Sequence, residues 1–245
     1  RLTQGISQAC YEQGYMLSLF LFYTKKEEEL LLPRIAQRSF LDGVIVQATT
    51  DADPIIPQLQ KSTMPFLVVG RLNDMPDDLS YVDVDNVSGA KNAVEHLIKL
   101  GHERIAHVCG RLDNRPALDR KIGYEKALRD HNLPIDPNLI VNGDFSEEGG
   151  YASVQGLLPH KPDAIFVASD TMAVGVVRAL KDAGLLVPND IAVMGFDDLI
   201  PAQRSEPQLS TIKQPILRFG VSAVEVLTDI IEKGNMPPRQ ALYDT

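Results

Sequence analysis

Tryptophan is absent from this 245-residue chain and aromatic residues make up only 6% of it, so rings available for stacking are few. Cysteine is almost missing: Cys10 and Cys109 are the only two, one in a predicted helix and one in a predicted strand. Two isolated thiols give neither a metal-ligand spacing nor a disulfide framework, and both read as buried core residues. Long apolar runs are missing as well. The strongest, 16–23 (MLSLFLFY), falls far short of the roughly 18–20 residues of a membrane helix and fits a buried strand. Nor is there an excess of positive charge. A formal net charge of -9 argues against this chain wrapping nucleic acid by itself, because phosphate binding needs a basic surface.

Short catalytic motifs are missing too. The chain has no GxGxxG, Walker loop, GxSxG or zinc spacing. His96, His102 and His107 fall in a helix, after its end and in a strand, so they share no face and a structural role is expected. Adjacent Asp197 and Asp198 could serve as acid and base, but neighbours on an extended chain point apart. The expectation is a protein that is not an enzyme and carries no cofactor or metal.

What is present is ordinary globular composition, 44% hydrophobic and 23% charged, with enough length for one large domain or two smaller ones. The clearest stretch is 163–198, DAIFVASDTMAVGVVRALKDAGLLVPNDIAVMGFDD. A buried strand over 164–168 leads to an N-cap at Ser169-Asp170, then a helical stripe over 171–183 closed by Gly184 and Pro188. A second buried strand, 191–196, ends on Asp197 and Asp198. A βαβ unit makes these strands parallel, and open α/β sheets bind ligands outside the strands' carboxyl ends.

The same alternation runs along the chain. Helices are predicted over 2–13, from 25, 54–62, 89–100, 118–132, 149–158 and 216–233, and strands over 15–23, 43–47, 65–69, 81–84, 104–109, 139–141 and 209–212. A polar loop is expected over 48–53, and Ile122, Ala127 and Leu128 should face inward from their helix. The β-α units come in two batches that meet near Asn86 without a Ser/Gly-rich linker, which reads as two Rossmann-like lobes and a hinge. An α/β fold should begin with a strand, and this chain opens in a helix.

Segment 82–110, VDVDNVSGAKNAVEHLIKLGHERIAHVCG, resembles the hallmark DN-x-x-G-A…HL-x-x-x-GH-x-R-I-A segment of the LacI/GalR bacterial transcriptional regulators. ASDTMAVGVVRALKDAG, VPNDIAVMGFDD and PQLSTIKQPILRFGVSAVEVL extend the resemblance over essentially the whole chain. The resemblance implies a type I periplasmic-binding-protein fold, α/β with parallel sheets in two lobes and a ligand cleft between them. The first strand and the DNA-binding headpiece would be missing from this piece. It implies a cytoplasmic homodimer that binds a small polar effector and reaches operator DNA only through the headpiece, with no membrane partner. Three chain crossings would divide it into 1–85 plus 214–236 and 86–213 plus 237–245.

Effector contacts carried over from the resemblance are Asp197, the Arg120 of RKIGY with its planar donor fork, Asn114, Phe145 of the GDF loop, Ser169 and Gln214. Tyr23, Gln47 and Arg71 would face the cleft from the other lobe. With Phe145 and Tyr23 as the main stacking candidates, a neutral sugar suits the chain better than a purine. The helix 172–180 carries one charge, Arg178, and more apolar surface than one sheet face can cover, so Ala173, Val174 and Val177 are expected at a dimer interface. The alternative is a soluble solute-binding protein that feeds a sugar transporter.

Overall fold

A computed structural model describes residues 1–47, 54–234 and 237–245, apart from the side chains of Lys25 and Glu28. The loop expected over 48–53 lies outside the described residues. The chain forms two units: Arg1–Val84 with Pro215–Tyr243, and Asp85–Gln214 with Asp244–Thr245.

Unit 1 contains α1 (Leu2–Glu12), α2 (Lys25–Ile35), β1 (Val44–Gln47), α3 (Ile55–Gln60), β2 (Phe66–Val69) and β3 (Tyr81–Val84). After unit 2 the chain returns to it with α9 (Ile216–Lys233) and β9 (Gln240–Tyr243). Its strands are all parallel, in the order β1-β2-β3-β9. The two-residue period of β2 turns Val68 toward Ile56 and Leu59 of α3, and Leu67 and Val69 toward Phe219, Ala223 and Leu227 of α9. Strands covered on both faces are continuous apolar runs for this reason.

Two expectations need correction here. Residues 15–23 form no strand; Met16 is 95% and Tyr23 85% exposed. A strand exists only with a ladder partner, and β1 pairs with β2 alone among the described residues. Phe20 anchors the stretch by an edge contact with Phe40, beside a depression of about 350 Å³ lined by both rings, Leu31, Arg34, Ile35 and Gln37. The second correction concerns 237–245, assigned above to the other lobe. β9 pairs with β3 from Tyr81↔Gln240 to Val84↔Tyr243, so only Asp244 and Thr245 group with unit 2.

Unit 2 contains α4 (Asn86–Lys99), β4 (Ile105–Cys109), α5 (Arg115–Asp130), β5 (Ile140–Asn142), α6 (Glu147–Leu157), β6 (Ala164–Val167) and α7 (Asp170–Asp182). It continues through β7 (Ala192–Asp197), α8 (Ile200–Arg204) and β8 (Ser210–Lys213). The parallel sheet runs β5-β4-β6-β7-β8. Along β6, Ala164 and Phe166 pack under α4 and α5, while Ile165 and Val167 pack under α6 and α7. Ile165, Phe166 and Val167, withdrawn from water, contribute about 1.5–3 kcal/mol each. Ala127 and Leu128 face inward, but Ile122 is 38% exposed. Tyr124 takes the core position instead, its hydroxyl donating to the Ile105 carbonyl at 2.8 Å.

The apolar excess of α7 is resolved inside unit 2. One side of the helix covers the sheet and another is pressed against α6, at a distance only glycine allows. A Cβ on Gly175 would stand 2.0 Å from the Glu147 carbonyl oxygen, and one on Gly150 2.1 Å from that of Met172. Ala173 and Val177 are buried in this packing and Val174 is partly covered, so they are not an exposed dimer face.

Candidate functional site

Because every strand of the unit 2 sheet runs in one direction, the carboxyl ends Cys109, Asn142, Val167, Asp197 and Lys213 share one edge. Asp197 ends β7 with the backbone at φ 116°, followed by Asp198 at φ 57°. Non-glycine residues seldom take this left-handed region, so contacts around the turn must hold it there.

For Asp197 those contacts come from its side chain. Oδ1 lies 3.3 Å from Nη2 of Arg120 and accepts a hydrogen bond from the Gln214 amide. Both contacts use one oxygen, and Oδ2 has no protein partner among the described residues. Burial raises the Asp197 carboxyl above its ordinary value; the Arg120 charge and the two hydrogen bonds pull the other way.

Arg120 is buried and its fork is already used. Nε donates to Asn86 Oδ1 at 3.0 Å and Nη1 donates to the Ala168 carbonyl. The guanidinium lies over the Phe196 ring, 3.9 Å from its centroid. Through these contacts Arg120 ties the ends of β6 and β7 to the first turn of α4 and so places Asp197. Asn86 is the first residue of α4, one past its cap. Asp85 is the cap, accepting from the Ser88 amide at 2.9 Å, and the Asn86 side chain is left for Arg120.

Ser169 and Asn114 cap helices. Ser169 Oγ accepts from the Met172 amide at 3.3 Å and is buried, while Asn114 accepts from the Ala117 amide at 3.3 Å and is half-buried at the edge. Phe145 stands at the same edge with φ 67°, its ring seated on Gly110, where a Cβ would meet Cζ at 2.1 Å. It is half-buried against the core cluster around Met172.

Asp170 is a structural carboxylate. It accepts from Thr211 Oγ1 at 2.6 Å and from the Leu199 amide at 2.7 Å, joining the starts of α7 and α8 to β8. Gly195 leaves the room, since a Cβ there would stand 2.3 Å from Asp170 Oδ1. Burial first, then the charges of Asp197 and Asp198, push Asp170 up to about 6 against the pull of its two hydrogen bonds.

Two of the unit 1 candidates, Gln47 and Arg71, lie at the carboxyl ends of the adjacent parallel strands β1 and β2, where Gln47 is in register with Val69. Tyr23 is exposed and off any strand, Gln47 is exposed at the end of β1, and Arg71 is paired with Asp83 at 2.8 Å. His107 is a core residue, stacked 4.9 Å from both Tyr124 and Phe166 and pushed down to about 4, chiefly by burial. Among the described residues no cluster of His, Cys, Asp and Glu could hold a metal ion. Cys10 and Cys109 are free and buried, and burial pushes the Cys109 thiol up to about 12.

Residues 94–245 match the family model of a periplasmic binding protein-like domain, which agrees with parallel α/β units and a polar carboxyl edge. The HTH-type transcriptional regulator CelR of Thermobifida fusca is 33% identical over 247 residues, spanning 100% of this chain and 72% of that protein. The ribose operon repressor of Escherichia coli (strain K12) is 36% identical over 231 residues, spanning 92% and 69%. A solved transcriptional regulator CelR–cellobiose complex superposes with a TM-score of 0.95 at 32% identity, covering 99% of this chain and 75% of that one. The chain belongs to the LacI family of transcriptional regulators, of which it is an effector-sensing core. The reading as a solute-binding protein for a transporter is set aside, since the relatives are regulators. No helix among the described residues is long and apolar enough to cross a membrane.

Proposed function

We propose that the carboxyl edge of unit 2 binds a neutral, polyhydroxylated effector, a sugar, with Asp197 Oδ2 accepting from ligand hydroxyls. The observation that carries this reading is the division of labour on one carboxylate: Oδ1 is held by Arg120 and Gln214 while Oδ2 has no partner among the described residues. The Arg120 charge is matched by Asp197, and Lys213, the register partner of Asp197 on β8, is exposed. The cellobiose in the CelR complex and the ribose repressor's name support a carbohydrate class for this chain too. In the same reading the core is a cytoplasmic homodimer, reaches operator DNA through a separate headpiece, and senses its ligand without transforming it.

A thermal-shift screen tests the ligand class. Cellobiose, ribose and other neutral sugars are compared with sugar phosphates and purine bases. Ligand at 100 times Kd stabilises the folded chain by about 2.7 kcal/mol. The expected result is a rise in Tm with at least one neutral sugar that is abolished by Asp197→Asn. A rise with only phosphorylated or purine ligands overturns the reading.

A further inference from the structure

The chain passes between its units at three places, after Val84, after Gln214 and after Tyr243. On the unit 2 side, two of the three crossings touch the Arg120–Asp197 pair directly, and the third packs on Gly89 beside Phe196. Asn86, two residues past the first crossing, takes the Arg120 Nε hydrogen bond and is buried. Gln214, the last residue before the second, donates to Asp197 Oδ1. Thr245, two residues past the third, sits with Phe196 against Gly89. A Cβ on Gly89 would stand 2.8 Å from Thr245 Oγ1 and 3.0 Å from Phe196 Cζ. Phe196 is the ring beneath the Arg120 guanidinium.

Nothing in folding a parallel sheet requires this convergence. The ends of β6 and β7 could be tied by Arg120 alone, through Ala168 and Asp197. Instead, one buried cation and one strained carboxylate also hold the segments where the chain leaves unit 2. Of these ties, only the one from Gln214 falls on the carboxylate that the proposed effector would use.

We propose that Gln214 is a positioning residue that couples the state of the Asp197 carboxylate to the second chain crossing, with Asn86 doing the same for the first through Arg120. This rests on the reading of Asp197 as the effector acceptor. It adds that whatever changes hydrogen bonding at Asp197 changes the order of residues 213–219 and, through Arg120, of 85–90. By linkage the effect is reciprocal: loosening the crossings weakens effector binding by the same factor.

The ligand-free chain supplies the first test, by hydrogen–deuterium exchange of peptides covering 85–90, 213–219 and, as a control, 150–157. Gln214→Ala should speed exchange over 213–219 by about tenfold and leave 85–90 unchanged, as expected for losing one hydrogen bond to a charged group. Asp197→Asn should speed both crossings and spare the control. Gln214→Glu, which sets a second carboxylate against Asp197, should exceed Gln214→Ala. If Asp197→Asn fails to fold, the Gln214 pair still decides the matter. Unchanged exchange over 213–219 in both Gln214 variants overturns the coupling. An increase in Gln214→Ala without one in a folded Asp197→Asn also overturns it, since Gln214 would then be a local brace.

Cellobiose and ribose serve as probes in the second arm. Where either sugar raises Tm, exchange over 213–219 should slow in the native chain and slow less in Gln214→Ala, and equal slowing in the two overturns the coupling. If neither sugar raises Tm, the ligand class fails while the ligand-free result still decides the coupling.

Discussion

Unit 1 and unit 2 are both parallel sheets between helices, yet they treat their strand ends differently. In unit 2 the ends of β6, β7 and β8 are joined by side chains, through Arg120 with Asp197 and Gln214, and through Asp170 with Thr211 and Leu199. In unit 1 Arg71, just past β2, pairs with Asp83 of β3, and an apolar stretch around Met16 and Leu19 lies exposed. The comparison teaches where specificity is stored. Unit 2 joins the ends of several strands through buried polar ties, whereas in unit 1 the buried Asp83 carboxylate is held by Arg71 from just past β2.

The largest effect should come from breaking the apolar packing that unit 2 adds to those ties. Val177→Glu places a carboxylate between α7 and its neighbours, where no partner is provided. The expected loss is about 4 kcal/mol or more, read as collapse of the denaturation midpoint. A folded monomer with a native midpoint would show that Val177 faces a partner chain after all.

Arg120→Ala comes next. It leaves Asp197 buried without its cation and removes the donor to Asn86 and Ala168, so about 3–5 kcal/mol should be lost in urea unfolding. A loss below 1 kcal/mol would mean that the ties of unit 2 matter no more than a surface pair. Arg129→Ala, at the exposed pair with Glu125, is the internal reference.

The pH dependence separates two buried groups of unit 2. Asp170 titrates at about 6 when folded against 3.8 as its ordinary value, so the folded chain binds the extra proton between them and this contribution is lost as pH rises. His107 titrates at about 4 against 6.5, so the unfolded chain binds the extra proton and this contribution is lost as pH falls. Each is worth about 3 kcal/mol, with opposite sign, over much the same window. His107→Phe, which keeps the stack with Tyr124 and Phe166, should therefore gain stability relative to the native chain as pH falls from 6.5 to 4. Asp170→Asn should gain relative to it as pH rises from 4 to 6. Parallel stability curves for native and variant chains would refute the assignments.

How much of this could be read in advance follows the same divide. The βαβ of 163–198 was legible because its cap, its closing Gly184 and its two buried strands are all local. Asp197 was legible because a carboxylate at the end of a buried strand needs partners. The partners of Arg120 were not, since Asn86 and Ala168 are distant in sequence and meet it only through the sheet order. The excess apolar surface of α7 was visible, but its cover, α6 at glycine distance, is a tertiary fact. The short β9 was not legible because the three apolar residues of QALY are too few to set a period, and its strand character comes from pairing with β3. Residues 15–23 failed in the opposite way: pattern can nominate a strand, but only a ladder makes one.

The smallest effect belongs to that stretch. Leu19 and Leu21 are each more than half exposed, so replacing both with Ser removes little burial from unit 1. Stability should change by no more than about 0.5 kcal/mol per site, the range of surface substitutions. Self-association should fall in sedimentation experiments, because exposed apolar runs promote pairing between chains. A large loss of stability would instead mean that 15–23 is packed in solution, and that unit 1 completes its edge with the strand its sequence predicts.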